Sequence, residues 1–275
     1  MFAIWALVIM GAIYTCRLIN EKSKIAWILH GAICCAVLDP SGVMLRNAKE
    51  TEGGRGMRAL VIGDSGGIGA AVAQALRAKG GEVVGLSRSR DGFDLTQPEQ
   101  ADRALSALTG AFDLIFVASG ALTVTRTGPE KSLRDLSAEE LAAQFAVNTI
   151  GPALVLKHAA RLLPRRERGV FAALSARVGS IGDNRAGGWY SYRASKAALN
   201  QIVHSGAIEL ARSHKQAVCV ALHPGTVETA FTANYPSHEK HSAQTAAVKL
   251  LAVLDGLKAE DSGGFFDYSG AKVVW

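Results

Sequence analysis

The sequence predicts an α/β protein, a single doubly wound parallel sheet with helices on both faces, and three observations carry that reading. From Met57 onward, short apolar runs alternate with stretches of helical periodicity. Strands separated by helical crossovers pair in parallel and need helices on both faces to cover them. The first apolar run ends in a glycine-rich turn that opens a helix, as sheets of this kind do where they bind ligands. Finally, 275 residues with 49% hydrophobic and 20% charged content suffice for one such domain plus an appendage.

The elements follow in order. "RALVIG" (58 to 63) reads as a strand, and "GIGAAVAQALRAKG" (67 to 80) as a helix whose aliphatic residues recur at helical spacing and stop at Gly80 and Gly81. "EVVGLSR" (82 to 88) is the next strand, "QPEQADRALSALTG" (97 to 110) the next helix, and "FDLIFVASG" (112 to 120) the third strand. A helical region spans about 137 to 167, with Gly151 and Pro152 marking a break between two helices. "GVFAALSA" (169 to 176) is strand-like, residues 190 to 214 form a long helix, "AVCVALHPG" (217 to 225) is a strand, and "GGFFDYSG" (263 to 270) is the last. No internal repeat stands out.

Residues 1 to 56 differ in character. Two apolar runs, 1 to 15 and 25 to 38, precede the polar, Gly-rich "NAKETEGGRG". Each run is short for a membrane span, and the first lacks the basic start of a cleavable signal. Three readings remain: upstream sequence translated from a misassigned start codon, with Met57 the true start, ranks first; a membrane-anchoring hairpin ranks second; an apolar adornment of the domain is the third. The expected location is accordingly cytoplasmic, with membrane association through this segment as the alternative. Three of four cysteines (Cys16, Cys34, Cys35) fall here without a C-x-x-C pair, so neither a zinc site nor a disulfide framework is indicated. His238 and His241 lack a third ligand nearby, and no metal is expected. The net charge of +6 comes without a basic run longer than "RRERG" (165 to 169), which weighs against nucleic acid as a partner.

Two motifs carry chemistry. Gly63, Gly67 and Gly69 form a G-x-x-x-G-x-G turn between the first strand and the first helix, where the backbone can approach a pyrophosphate and meet its charge with helix-start amides. Tyr192 and Lys196 stand four apart and so share one helix face, whereas Tyr190 and Lys196, six apart, do not. A neighbouring ammonium lowers a phenol's pKa toward the range useful for proton transfer, which makes Tyr192 with Lys196 a candidate acid/base pair.

Together with "HPGTVETAF" (223 to 231) and "NTIG" (148 to 151), these motifs make the chain from Met57 onward resemble the short-chain dehydrogenase/reductase family, in its carbonyl-reductase-like branch of C-factor and sniffer-type proteins. The resemblance implies a Rossmann-like fold, a small-molecule carbonyl substrate and a dimer or tetramer. It assigns Gly63, Ser65, Gly67, Ile68 and Gly69 to the cofactor loop, Asp94 and Leu95 to adenine, and Gly120 of "ASG" to the ribose side. Pro224, Gly225 and Thr226 fall to the nicotinamide amide. Tyr192 becomes the proton donor, Lys196 its partner and a contact of the nicotinamide ribose, and Asn148 the holder of a relay water. Arg88 stands at the end of the second strand where an acidic residue would favour NAD; a guanidinium there pairs with the extra phosphate of NADP, and NADP(H) is the expected cofactor. The family's carbonyl-polarising serine is Ala176 here. Ser175 is the preferred substitute and Ser180 the alternative. An NADP-dependent carbonyl reductase is the leading reading, and a cofactor-binding signalling protein with weak turnover is the second.

Overall fold

The computed structural model describes residues 56 to 232 and 240 to 275, apart from the side chain of residue 230, together with short backbone strands earlier in the chain. The chain divides into two compact units, Met1–Arg55 and Gly56–Trp275. Within the first, Ala6–Ile9 pairs antiparallel with Ala12–Thr15, and Trp27–Leu29 with Ala32–Cys34. The three readings of the N-terminal segment otherwise rest on residues outside those described. Among the described residues, no helix is long and apolar enough to cross a membrane.

The second unit holds a six-stranded, all-parallel sheet: β1 (Arg58–Ile62), β2 (Glu82–Leu86), β3 (Leu114–Val117), β4 (Val170–Leu174), β5 (Val218–His223) and β6 (Phe265–Asp267). Their spatial order is 2-1-3-4-5-6, so the connection from β2 to β3 passes over β1 and opens a switch point between β1 and β3 at the carboxyl edge. Six expected strands are present, each slightly shorter than its apolar run, and two short helices, α2 (Arg88–Asp91) and α6 (Ala159–Leu162), lie in the connections after β2 and before β4.

The pleat sorts the core into two layers. Leu60 and Ile62 of β1, with Phe171 and Ala173 of β4, face α3 (Pro98–Ala107), α5 (Gly151–Lys157) and α7 (Tyr190–Ser213). Ala59 and Val61, with Ala172 and Leu174, face α1 (Gly67–Ala78) and α8 (Ala243–Gly256). In the β5 core lies Cys219, whose thiol burial pushes up to about 12.

One expectation needs correction. The helical region does not break into a loop at Gly151 and Pro152. After α4 (Ala138–Phe145) the chain winds into a π-turn over Ala146–Ile150, and Gly151–Pro152 then open α5 without a gap. Pro152 is the second residue of α5 and follows directly on the π-turn, inside a continuous helical run.

Candidate active site

Helix α7 starts beside the carboxyl edge of the sheet, and its buried face carries Tyr192, Lys196 and Asn200 at successive turns. The Lys196 Nζ donates to the Leu174 carbonyl at 2.8 Å and lies 5.9 Å from the centre of the Tyr192 ring. A Cβ on Gly179 would come within 2.8 Å of the Lys196 Cβ, so glycine there lets the turn after β4 press against the helix. The sequence reading expects the ammonium to pull the phenol's pKa down. In the structure burial acts on both groups in the opposite sense: it pushes the Tyr192 phenol far up and the Lys196 amine down to about 7. Tyr192 is flanked by Trp189, with ring centres 6.3 Å apart, and by Phe231 at 5.9 Å. Tyr190 lies outside the buried face of α7.

Asn148 sits inside the π-turn, fully buried. Its Oδ1 accepts from the Ala121 N–H at 2.9 Å, and its Nδ2 donates to the Ala121 carbonyl at 2.9 Å, to Ser195 Oγ at 3.2 Å and to Gln144 Oε1. Thr149 Oγ1 donates to the Ser195 carbonyl at 2.7 Å and ties the turn to α7. Single π-turns recur at functional sites because the extra residue re-aims side chains and frees backbone groups. A Cβ on Gly120 would stand 3.2 Å from Asn148 Oδ1 and 3.4 Å from Lys196 Nζ. Gly120, Asn148 and Lys196 therefore meet at one point on the carboxyl edge.

The structure does not bring Ser175 to this point. Its Oγ is buried and donates to Asn200 Oδ1 at 2.6 Å. Asn200 is eight residues beyond Tyr192, about 12 Å along the helix axis. Ser175 continues the β4 alternation on the layer facing α7, and Ala176 turns the other way. Ser180, also buried, accepts from the Asp183 N–H at 3.0 Å. Ala176, partly exposed, leads into the 3-10 turn Arg177–Gly179 and offers no hydroxyl.

The glycine turn lies at the switch point. Gly63 adopts a φ of 83°, and a Cβ on it would crowd the Ser119 N–H at 3.2 Å. A Cβ on Gly69 would run into the Gly63 carbonyl, and one on Gly67 would come within 2.5 Å of Thr229. Helix α1 begins after Gly66 with no side chain capping its first amides, and Ser65 is exposed while Ile68 packs on the core. Two buried polar atoms here, Asp64 Oδ1 and Ser119 Oγ, lack partners. An uncapped helix start, a backbone stripped of Cβ atoms and orphaned polar groups fit a dinucleotide at this edge.

At the end of β2 the arrangement differs from the expectation. Arg88 is exposed, and its charge reaches Asp94. Arg90 Nη2 pairs with Asp64 Oδ2, and Asp64 is tucked so closely over Gly85 that a Cβ there would collide with its carboxylate. The pair leaves little mark in the sequence, because Asp64 and Arg90 lie 26 positions apart and only Gly85 inside β2 signals a close approach. Asp94 Oδ1 accepts from the Thr96 N–H and Oγ1 at 2.9 and 2.7 Å, which hold its carboxyl below the usual range, and Leu95 is a core residue against Gly151. After β5, Pro224 leads to Gly225, with φ 78° and a Cβ position 2.8 Å from Tyr268. The Thr226 carbonyl accepts from the His241 N–H at 2.9 Å. The reading of His238 as a surface residue lies outside the described residues. Among the described residues no group of His, Cys, Asp or Glu is placed to hold a metal.

Comparison with known proteins agrees with this geometry. The family model described as enoyl-(acyl carrier protein) reductase matches residues 62–255. The C-signal of Myxococcus xanthus is 35% identical over 178 residues, covering 62% of this chain and 98% of that protein. A 1-hydroxy-2-glutathionyl-2-methyl-3-butene dehydrogenase from a Rhodococcus species is 30% identical over 233 residues, covering 78% of this chain and 98% of that protein. A short-chain dehydrogenase/reductase from Burkholderia multivorans, solved with bound NADP, superposes with a TM-score of 0.66 at 28% identity, covering 80% of this chain and all of that one. With its parallel sheet, its glycine turn at the switch point and these relatives, the chain belongs to the short-chain dehydrogenase/reductase family.

Proposed function

We propose that the protein is an NADP(H)-dependent reductase of a carbonyl compound, an aldehyde, ketone or quinone, with Tyr192 as the proton donor. The observation that carries this reading is the convergence of Tyr192, Lys196, Asn148 and Gly120 on the carboxyl edge beside the glycine turn. Gly63, Gly67 and Gly69 would hold the pyrophosphate at the start of α1, and Arg88 and Arg90 the phosphate on the adenosine ribose. The NADP in the Burkholderia relative supports that choice. Bound NADPH supplies the hydride.

The protein's own part is proton supply and positioning. Burial keeps the Tyr192 phenol protonated, the form required to give a proton to the carbonyl oxygen. The phenolate left behind is costly in a buried site, and a charged Lys196, whose pKa of about 7 lets it exchange protons near neutrality, offsets it. Asn148 holds the π-turn against Ala121 and Ser195 and meets Lys196 at Gly120, where it would hold a relay water for that amine. Trp189 and Phe231 shield the phenol from bulk water on two sides.

The second reading, a cofactor-binding signalling protein with weak turnover, is favoured by Ala176, which offers no hydroxyl where the family resemblance implies a serine for the carbonyl; the name of the Myxococcus relative points the same way. NADPH consumption by the full chain against a panel of aldehydes, ketones and quinones tests both. Reduction that Tyr192→Phe abolishes and Tyr190→Phe spares supports the reductase; NADPH binding with no carbonyl reduced transfers the case to signalling.

A further inference from the structure

At the start of α7, lined by Trp189 and Arg193, lies a cavity of about 380 Å³. Its wall contains Lys131, Val178, Gly187, Gly188, Trp189 and Arg193, and no carboxylate. Gly187, Gly188 and Trp189 have φ of 64°, 63° and 51°, three left-handed residues in succession, and Trp189 is the only non-glycine with positive φ among the described residues. Side chains seldom accept that conformation, and where they do the surroundings enforce it, commonly at a ligand site. Here the Trp189 N–H donates to the Glu130 carbonyl at 2.6 Å; Trp189 lines the cavity, and its ring centre lies 6.3 Å from that of Tyr192.

The same winding fixes a cation. Arg193 Nε donates to the Gly187 and Gly188 carbonyls at 3.2 and 3.0 Å, and Nη1 to the Val178 carbonyl at 3.2 Å. These three carbonyls orient the guanidinium without neutralising it. Neighbouring carboxylates are engaged elsewhere: Glu130 is buried against Ser191, Asp135 accepts from the Lys131 and Ser132 N–H groups, and Asp183 pairs with Arg177. Lys131 itself is exposed at the rim.

We propose that this cavity takes the anionic end of the substrate, so that the preferred carbonyl compounds carry a carboxylate on the side of the molecule away from the reacting oxygen. The proposal rests on the reductase reading for the site it adjoins. A fixed guanidinium and a mobile ammonium, facing a cavity without acidic side chains, favour an anion, and a planar guanidinium matches a carboxylate through two parallel hydrogen bonds. The indole between them packs against the body of a flat or aliphatic substrate whose carbonyl reaches Tyr192.

The test measures binding and turnover separately on the full chain. Calorimetric titration with 4-(hydroxymethyl)benzoate and with benzyl alcohol, each with and without NADPH, is run on the native protein, Lys131→Glu and Trp189→Gly; the glycine variant accepts the left-handed backbone and guards against misfolding. The carboxylate is expected to bind at least about tenfold more tightly than the neutral alcohol, with an advantage that salt reduces and Lys131→Glu removes while benzyl alcohol is unaffected. Trp189→Gly weakens both. Equal affinity for the two compounds, or an advantage that survives Lys131→Glu, overturns the proposal. Reduction of benzaldehyde and 4-carboxybenzaldehyde is followed in parallel. Lysine-dependent carboxylate binding with no reduction of either aldehyde sinks the reductase reading and leaves the anion site standing; equal reduction of both with equal binding does the reverse.

Discussion

The two halves of α7 bury the same stripe and use it for opposite ends. Toward the N-terminus the stripe is Ser191, Tyr192, Ser195, Lys196 and Asn200; toward the C-terminus it is Leu199, Val203, Ala207 and Leu210. The second half packs on Phe171, Ala173 and Ala221 of the sheet and stabilises the fold by removing apolar surface from water. The first half costs stability, since polar and ionisable groups lose hydration there, and hydrogen bonds to Leu174, Asn148 and Glu130 offset part of that. A helix anchored at one end by aliphatic packing can hold reactive groups in a place they would not choose alone.

Substitutions in the two halves should therefore separate activity from stability. On the proposed mechanism, Tyr192→Phe should lower carbonyl reduction by roughly 10³-fold or more with an unchanged urea midpoint, because the hydroxyl proposed to give the proton is lost and the ring packing stays. The comparison breaks if the midpoint falls with the rate. Leu199→Ala, about two turns away on the aliphatic side, should cost about 2–5 kcal/mol in urea unfolding while the folded enzyme keeps its kcat. Restoring the missing donor by Ala176→Ser should raise kcat by up to roughly 10²-fold, as a positioned hydroxyl stabilises the developing oxyanion; no gain would show that another group already serves the carbonyl.

A smaller effect sharpens the contrast through pH. Lys196 titrates at about 7 in the folded chain against its ordinary value of 10.5, so the unfolded chain binds the extra proton between those limits. Stability then rises with pH above 7, by at most about 1.4 kcal/mol per pH unit for this group. Lys196→Met should remove that rise, which urea midpoints between pH 7 and 9 would reveal. A parallel slope in both proteins would mean that the amine is solvated.

Much of the scaffold was legible in the chain because periodicity reports burial. The six strands, α1 with its glycine turn and the Tyr192–Lys196 face of α7 all follow from spacing. What was not legible depends on contacts between distant residues or on winding that leaves no mark in composition. The π-turn at Ala146–Ile150 reads as ordinary helix, and its neighbours Gly151 and Pro152 suggested a break instead. The pleat told that Ser175 and Ala176 face opposite ways, but only the structure shows Ser175 spent on Asn200. The Arg90–Asp64 pair was hidden in the same way, with Arg88 drawing attention as the strand-end base.

The π-turn has a consequence for how the sequence can vary in length. A wide turn holds one residue more than regular winding needs, so deleting a residue between 146 and 150 would give a smoother α-helix rather than a damaged one. Because such a deletion takes out only the residue that the wide turn absorbs, α4 and α5 would keep their phase and Val155 its place in the core. Asn148 and Thr149 lie inside the turn and would swing off Ala121 and Ser195. A single-residue deletion here should thus spare the fold and disarrange the site.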